Sequence, residues 1–297
     1  MDNGMINMTP ANGLPMIEPL DRSRFKTAAF DLDGTLLKDG VLSETNRDAL
    51  CTLHERGVEV VVSTGRHYKM MPEAIRSLPF IRYAITSGGS HVLDWIDNLD
   101  IAYTTFEKSM LIRLAGYLLE HARVNHVFSK EKIVVSWKDV WIMSKKVDRK
   151  SVKNERRDIF EWAKIVGSQM RYIKKPRITI GKLNAFFEDI PSCSAVIDWI
   201  TKEFAIEAVS STGWDIEITP GGVSKASGLT SLCNFLGLDV KDTVIFGDSA
   251  NDKSIMQRGG YAVAMGNASE DVKAIADYVA PSVDEDGAAQ AMLALFA

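Results

Sequence analysis

An α/β protein with a parallel sheet buried on both faces, interrupted by a large α/β insertion, is the architecture predicted by three observations. Short apolar runs stop at small or polar residues, helical segments alternate with those runs, and the rhythm changes between about residues 90 and 217 before it resumes. Strands joined through helices imply right-handed βαβ units, and such sheets bind ligands beyond the carboxyl ends of their strands. A length of 297 residues suits two domains, and 46% hydrophobic with 25% charged residues is an ordinary globular composition.

Residues 1–24 are rich in Asn, Gly, Pro and Met and follow neither a helical nor a strand period, so a flexible extension is expected there. Thr27-Ala28-Ala29-Phe30 then reads as a buried strand that ends in the polar turn Asp31-Leu32-Asp33-Gly34-Thr35. Ser43 precedes a helix carrying Ala49, Leu50 and Leu53, with Gly57 as its stop. Val58–Ser63, Tyr83–Thr86 and Thr243–Phe246 are further strands, ending at Thr64-Gly65-Arg66, Ser87-Gly88-Gly89 and Gly247-Asp248. Inside the insertion, helices are expected near residues 107–122, 151–164 and 192–203, with short strands at Lys132–Val135 and Arg177–Ile180. The predicted organisation is therefore a core of residues 25–89 and 218–297 and a cap of residues 90–217.

The charge balance excludes several classes. With 35 Lys+Arg against 39 Asp+Glu, the net charge is −4, and no basic arm is present to grip a polyanion, so nucleic acid is not an expected partner. No stretch reaches the length of a membrane span and no secretory signal opens the chain, which points to a cytoplasmic protein away from the membrane. Cys51, Cys193 and Cys233 are widely spaced and form no CxxC pair, so plain thiols are expected rather than a disulfide or zinc site. No obligate protein partner is predicted.

Asp31 and Asp33 stand at one strand end, Asp248 and Asp252 at another. Carboxylates gathered at a single sheet edge repel one another unless a cation lies between them, and hard oxygen ligands suit Mg²⁺. Lys225 follows Gly221-Gly222, and Thr64-Gly65 adds a hydroxyl and backbone amides at a third strand end. The set suits a phosphate.

These motifs resemble the haloacid dehalogenase (HAD) superfamily of phosphohydrolases, specifically its Cof-like, type IIB members with a large α/β cap. Asp31-Leu32-Asp33-Gly34-Thr35, Thr64, Lys225 and Gly247-Asp248-Ser249-Ala250-Asn251-Asp252 occur in the family's order, and the resemblance covers residues 26–297. It implies a Rossmann-like core and an aspartyl-phosphate mechanism, with Asp31 as nucleophile and Asp33 as general acid and base. It further implies Mg²⁺ held by Asp31, Asp248 and the Asp33 carbonyl, with Asp252 supporting the site. Leu32 and Gly65 through their amides, with Thr64, Lys225 and Asn251, would bind phosphate oxygens. The expected activity is hydrolysis of phosphomonoesters of small metabolites, either sugar phosphates or phosphorylated cofactors. A sugar phosphomutase and a catalytically weak phosphometabolite sensor are the alternatives.

One departure from the family pattern is Ser87-Gly88-Gly89-Ser90, where Cof-like chains often carry Ser-Asn-Gly-Ala. Arg66 and His67 are expected as a solvated first-turn pair. In the cap, Trp137, Trp141, Lys145 and Lys146 form one aromatic and basic cluster, and Arg171, Lys174, Lys175 and Arg177 form another. Both are expected as solvated basic faces with core tryptophans, and His91, His121 and His126 as bland surface or helix-face residues.

Overall fold

The computed structural model describes residues 18–146 and 162–297. In chain order the strands are β1 (Thr27–Phe30), β2 (Leu37–Lys38), β3 (Val41–Leu42), β4 (Glu59–Ser63), β5 (Tyr83–Thr86), β6 (His91–Asp94), β7 (Leu99–Tyr103) and β8 (Val124–Ser129). They continue as β9 (Ile133–Ser136), β10 (Ala163–Val166), β11 (Ile180–Phe186), β12 (Ile206–Val209), β13 (Asp215–Pro220), β14 (Thr243–Gly247), β15 (Tyr261–Ala264) and β16 (Tyr278–Val279). The main sheet runs β16-β15-β14-β1-β4-β5-β6-β7, and its strands from β16 to β5 are parallel.

Strand alternation sends the core sheet's side chains to two apolar layers. Ala28, Phe30, Val60, Val62, Val244 and Phe246 share one cluster with Leu50 and Leu53 of the helix Glu44–Glu55 and Met292 and Leu295 of the helix Gly287–Leu295. Ala29, Val61 and Ile245 share the other with Leu229 and Leu232 of the helix Lys225–Leu236. The Phe30 and Phe246 rings stack with centroids 4.5 Å apart, directly before Asp31 and Gly247 on their chains. Two rigid neighbouring strands thus deliver the acidic turns to one edge.

The second sheet, β10-β9-β8-β11-β13-β12, is mostly antiparallel. One of its faces, including Val127, Leu183, Ala185, Ile216 and Ile218, packs with the helices Lys108–His121 and Ile190–Glu203. The opposite face carries His126, Phe128, Lys182, Asn184, Phe186 and Glu217. Part of that face packs under Val140 and Met143 of the helix Trp137–Lys146, and part turns toward the carboxyl edge of the core sheet.

Several expectations are modified. The antiparallel strands β6 and β7 extend the core sheet, so residues 91–103, expected in the insertion, join it instead, β6 pairing with β5 and β7 with β6. The second sheet continues to Pro220 rather than stopping at residue 217. Residues 151–161 of the helix expected at 151–164 lie outside the described residues, and Ala163–Val166 is a strand. Of the expected extension, residues 1–17 lie outside the described residues, while Leu20 packs on the core and its amide donates to the Leu295 carbonyl at 2.7 Å.

Candidate active site

Four chain segments converge at the carboxyl edge of the core sheet. Asp31 follows β1, Thr64-Gly65-Arg66 follows β4, Asp248 follows β14, and Lys225 opens the helix that Ser224 caps through the Ser227 amide. Lys225 Nζ donates to Asp31 Oδ1 and to Asp252 Oδ1, each at 2.7 Å, and all three side chains are buried. Asp252 Oδ2 accepts from the amides of Asp248 (3.2 Å) and Ser249 (3.1 Å), so both of its oxygens are engaged. Thr35 Oγ1 donates to Asp248 Oδ1 at 3.2 Å.

Oxygens of Asp31, Asp248 and Asp252 lie within 4.8 Å of one another. Three carboxylates to one lysine leave an excess of negative charge in a dry place, so every proton there is held more tightly. Burial pushes Asp248 up to about 7, with Asp252's charge adding to it. Asp31 is also raised by burial, against the pull of Lys225, while the carboxylates of Asp252 and Asp31 overcome the burial of Lys225 and raise it too. A divalent cation would relieve this imbalance, and the donor set is the hard, all-oxygen type that Mg²⁺ takes. Asp31 and Asp248 fit direct contact with it; Asp252, saturated by Lys225 and two amides, fits a supporting place behind them.

The tight turn at Gly34 is part of this arrangement. Its φ is +83°, and a Cβ there would stand 2.4 Å from Asp248 Oδ2. Gly89 makes a closer approach still, because a Cβ on it would stand 1.9 Å from the Ser224 carbonyl beside Lys225. At Gly88, where the family often has asparagine, a Cβ would meet Thr219 Cγ2 at 3.4 Å and Lys182 Cδ at 3.9 Å. The absent amide side chain is therefore not excluded by space. The backbone of this loop is anchored without it: Ser87 N donates to Arg66 O at 2.8 Å and Gly88 N to Thr64 O at 3.2 Å.

Asp31, Asp33, Thr64, Gly65 and Asn251 line one cavity of about 280 Å³. Lys225 lies beneath it, 1% exposed, and reaches it through Asp31. Leu32 contributes its side chain to the apolar core.

Arg66 and His67 are not a solvated pair. Arg66 holds Asp33 by both oxygens, Nε to Oδ2 at 2.7 Å and Nη2 to Oδ1 at 2.6 Å. Such a fork is the geometry in which guanidinium binds carboxylate best. His67 is buried at the seam with the cap, its Nε2 facing the carbonyls of Ser129 (3.0 Å) and Lys130 (3.2 Å), and its Nδ1 accepting the Lys69 amide at 3.2 Å. Two carbonyls on Nε2 place the proton there.

The cap completes the cavity with His126, Phe128, Asn184, Phe186 and Glu217. Lys182, fully buried, pairs with Glu217 at 2.8 Å and donates to the Gly65 carbonyl at 2.8 Å, while Glu217 also hydrogen-bonds Asn251. Burial lowers the Lys182 pKa against the attraction of Glu217; the charge of Lys182 outweighs burial at Glu217 and lowers its pKa in turn. The sequence reading missed these residues. Their signal is strand alternation: Lys182, Asn184 and Phe186 on β11 oppose Phe128, His126 and Val124 on β8 in register. His126 is consequently no bland surface group, and His91 is a buried partner of Asp100 at 2.7 Å. His121 is exposed and stacks on Tyr117.

The two clusters singled out in the cap are elsewhere. Trp137 and Trp141 are 61% and 59% exposed rather than core, Lys145 and Lys146 end their helix, and Arg171, Lys174, Lys175 and Arg177 are exposed. Cys193 and Cys233 are buried thiols and Cys51 is half-buried. Among the described residues no helix is long and apolar enough to cross a membrane.

The sequence profile of the haloacid dehalogenase-like hydrolases matches residues 28–292. The chain belongs to this family. This hydrolase is 29% identical over 271 residues to the 5-amino-6-(5-phospho-D-ribitylamino)uracil phosphatase YcsE of Bacillus subtilis (strain 168), across 90% of this chain and 94% of the relative. It is 25% identical over 266 residues to the pyridoxal phosphate phosphatase YbhA of Escherichia coli (strain K12), across 89% and 96%. A solved haloacid dehalogenase-like hydrolase from B. subtilis superposes with a TM-score of 0.80 at 26% identity, covering 90% of this chain and 99% of that one. The HAD subclass IIB sugar phosphatase BT4131 shares the fold, with a TM-score of 0.74 at 24% identity over 90% and 98% of the two chains. The expected superfamily, the capped α/β fold and the enzyme class, a phosphoric monoester hydrolase, hold in these findings.

Proposed function

We propose that the protein is a Mg²⁺-dependent phosphatase that hydrolyses phosphomonoesters of small metabolites through an aspartyl phosphate on Asp31, with substrate chosen by the cap. The observation that carries this reading is the pairing of a buried, lysine-oriented Asp31 with an Asp33 held at the mouth of the same cavity. Relatives named for phosphates of a ribitylaminouracil and of pyridoxal support small phosphorylated metabolites or cofactors as the substrate class.

In this mechanism Lys225 fixes the rotation of the Asp31 carboxylate, which attacks phosphorus and forms the acyl phosphate. The lysine's remaining donor, with Thr64, Asn251 and the amides of Leu32 and Gly65, binds the equatorial oxygens. Asp33, protonated once it has turned out of the Arg66 fork, gives that proton to the leaving oxygen and regains one from the water that cleaves the acyl phosphate, so its proton is restored over the cycle. Asp31, Asp248 and the Asp33 carbonyl would hold Mg²⁺, with Asp252 behind them, and the bound ion would supply positive charge to offset phosphate against carboxylate.

The test is phosphate release from phosphorylated sugars, nucleotides and cofactors, with Mg²⁺ and with chelator, using Asp31→Asn as the blank. Metal-dependent release that is lost in the variant is expected. Release that persists in the variant removes the mechanism, and isomerised product without free phosphate converts the reading to a mutase.

A further inference from the structure

A second cavity, of about 340 Å³, opens on the same face of the cap sheet and shares His126 and Phe186 with the cavity over Asp31. Its other apolar walls are Val124, Ile142, Met143, Phe187 and Trp214. The polar groups around it are already engaged: Arg123 Nη1 meets Glu188 Oε1 at 2.5 Å, and Asp215 Oδ1 accepts the Thr212 amide at 2.9 Å. What remains for a ligand is hydrocarbon and ring surface.

The boundary between the two cavities has a different character. Among the described residues nothing hydrogen-bonds the buried His126 Nε2 or the buried Asn184 Oδ1. A buried polar atom left in this state is costly, and both stand on one register pair of β8 and β11 at the cavity walls. Burial also lowers His126 to about 4, so near neutral pH it is an uncharged imidazole suited to hydroxyl or amine groups rather than to a second phosphate.

Polar acidic site, orphaned polar atoms and apolar chamber therefore follow one another along a single sheet face. We infer that the second cavity is a leaving-group subsite for an apolar, planar ring, joined to the phosphate by a polar tether that hydrogen-bonds His126 and Asn184. This rests on the phosphatase reading in placing the phosphate over Asp31. A short sugar phosphate would meet His126 and Asn184 but leave the apolar chamber to water, whereas a tethered ring fills it and removes apolar surface from solvent.

The experiment reads binding, so that it stands apart from turnover. Non-hydrolysable phenylalkylphosphonates of graded tether length, and the same tethers ending in methyl, are titrated by calorimetry into the full chain with Mg²⁺. Once the tether reaches the second cavity, the phenyl compound is expected to bind about tenfold or more tightly than its methyl counterpart. Trp214→Ala should reduce that ratio to about threefold or less, and Trp214→Phe should keep most of it. Equal affinities at every tether length overturn the inference, as does a phenyl advantage that Trp214→Ala leaves intact. Phosphate release without ring preference removes the subsite and spares the phosphatase; ring preference without release does the opposite.

Discussion

The core edge around Asp31 and the cap face above it are both polar and both enclosed, yet they are finished differently. At the core edge the carboxylates are engaged within the folded chain: Lys225 on Asp31 and Asp252, Arg66 on Asp33, amides on Asp252 and the Thr35 hydroxyl on Asp248. On the cap face Lys182 and Glu217 pair off near the core, while His126 Nε2 and Asn184 Oδ1 have no partner among the described residues. The first arrangement holds Asp31 and Asp252 in place before a substrate arrives, and in the proposed reaction only Asp33 has to leave its partner. The second leaves hydrogen-bonding capacity for a molecule that arrives. On the proposed function, chemistry would fall to the saturated half and selection to the unsaturated half.

The largest effect should come from breaking the saturated half. Asp31→Asn is expected to cut phosphate release by about 10⁴-fold or more, because an amide is no nucleophile. In chelator the same variant should melt no lower than the parent, since one of three carboxylates sharing a single lysine has gone. A loss of melting temperature comparable to that of a core truncation would refute the account of excess negative charge.

Lys182→Met attacks the junction of the two halves. Removing one member of a buried pair strands the other, so unfolding in denaturant should show a loss of about 3 kcal/mol, and Lys182→Met with Glu217→Leu should recover most of it. A single variant as stable as the parent would mean that the pair does not hold cap to core.

A third expectation concerns pH. His67 sits at the seam with its pKa lowered to about 4 by burial, from an ordinary 6.5, so the unfolded chain binds the proton more readily. Its contribution to stability is complete above about pH 6.5 and is lost as pH falls toward about 4, a span worth on the order of 3 kcal/mol. Denaturant midpoints measured across that range should fall less steeply in His67→Gln, and equal slopes in the two proteins would sink the assignment.

The smallest effect sharpens the comparison most directly. Asn184→Leu removes an orphaned oxygen, so stability should rise by about 1 kcal/mol while kcat/KM for the preferred substrate falls. A stability gain without any loss of kcat/KM would make Asn184 a structural defect rather than a ligand contact.

Several features were legible from local signals. The apolar run Thr27–Phe30 ending at Asp31 is a strand with its turn, Ser43 and Gly57 bracket the helix Glu44–Glu55, and Ser224 caps the helix that Lys225 begins. Each is decided within a few residues by periodicity, capping and turn chemistry. Strands β6 and β7 were misplaced because a short alternating run does not disclose which sheet it joins. Arg66 was passed over because a basic residue after Thr64-Gly65 looks the same whether it meets water or Asp33.

The sequence by itself determined the order of the acidic motifs, Thr64 and Lys225, the βαβ rhythm that brings them to one edge, and hence the reaction class. Only the tertiary structure decided which cap residues stand over Asp31, that Arg66 grips Asp33, and that the cavity over Asp31 shares His126 and Phe186 with an apolar one. The physical reason is distance along the chain. A motif is read from neighbours whose spacing is set by covalent geometry, whereas Lys182 meets Gly65 and Asn184 faces His126 only after separate segments have packed.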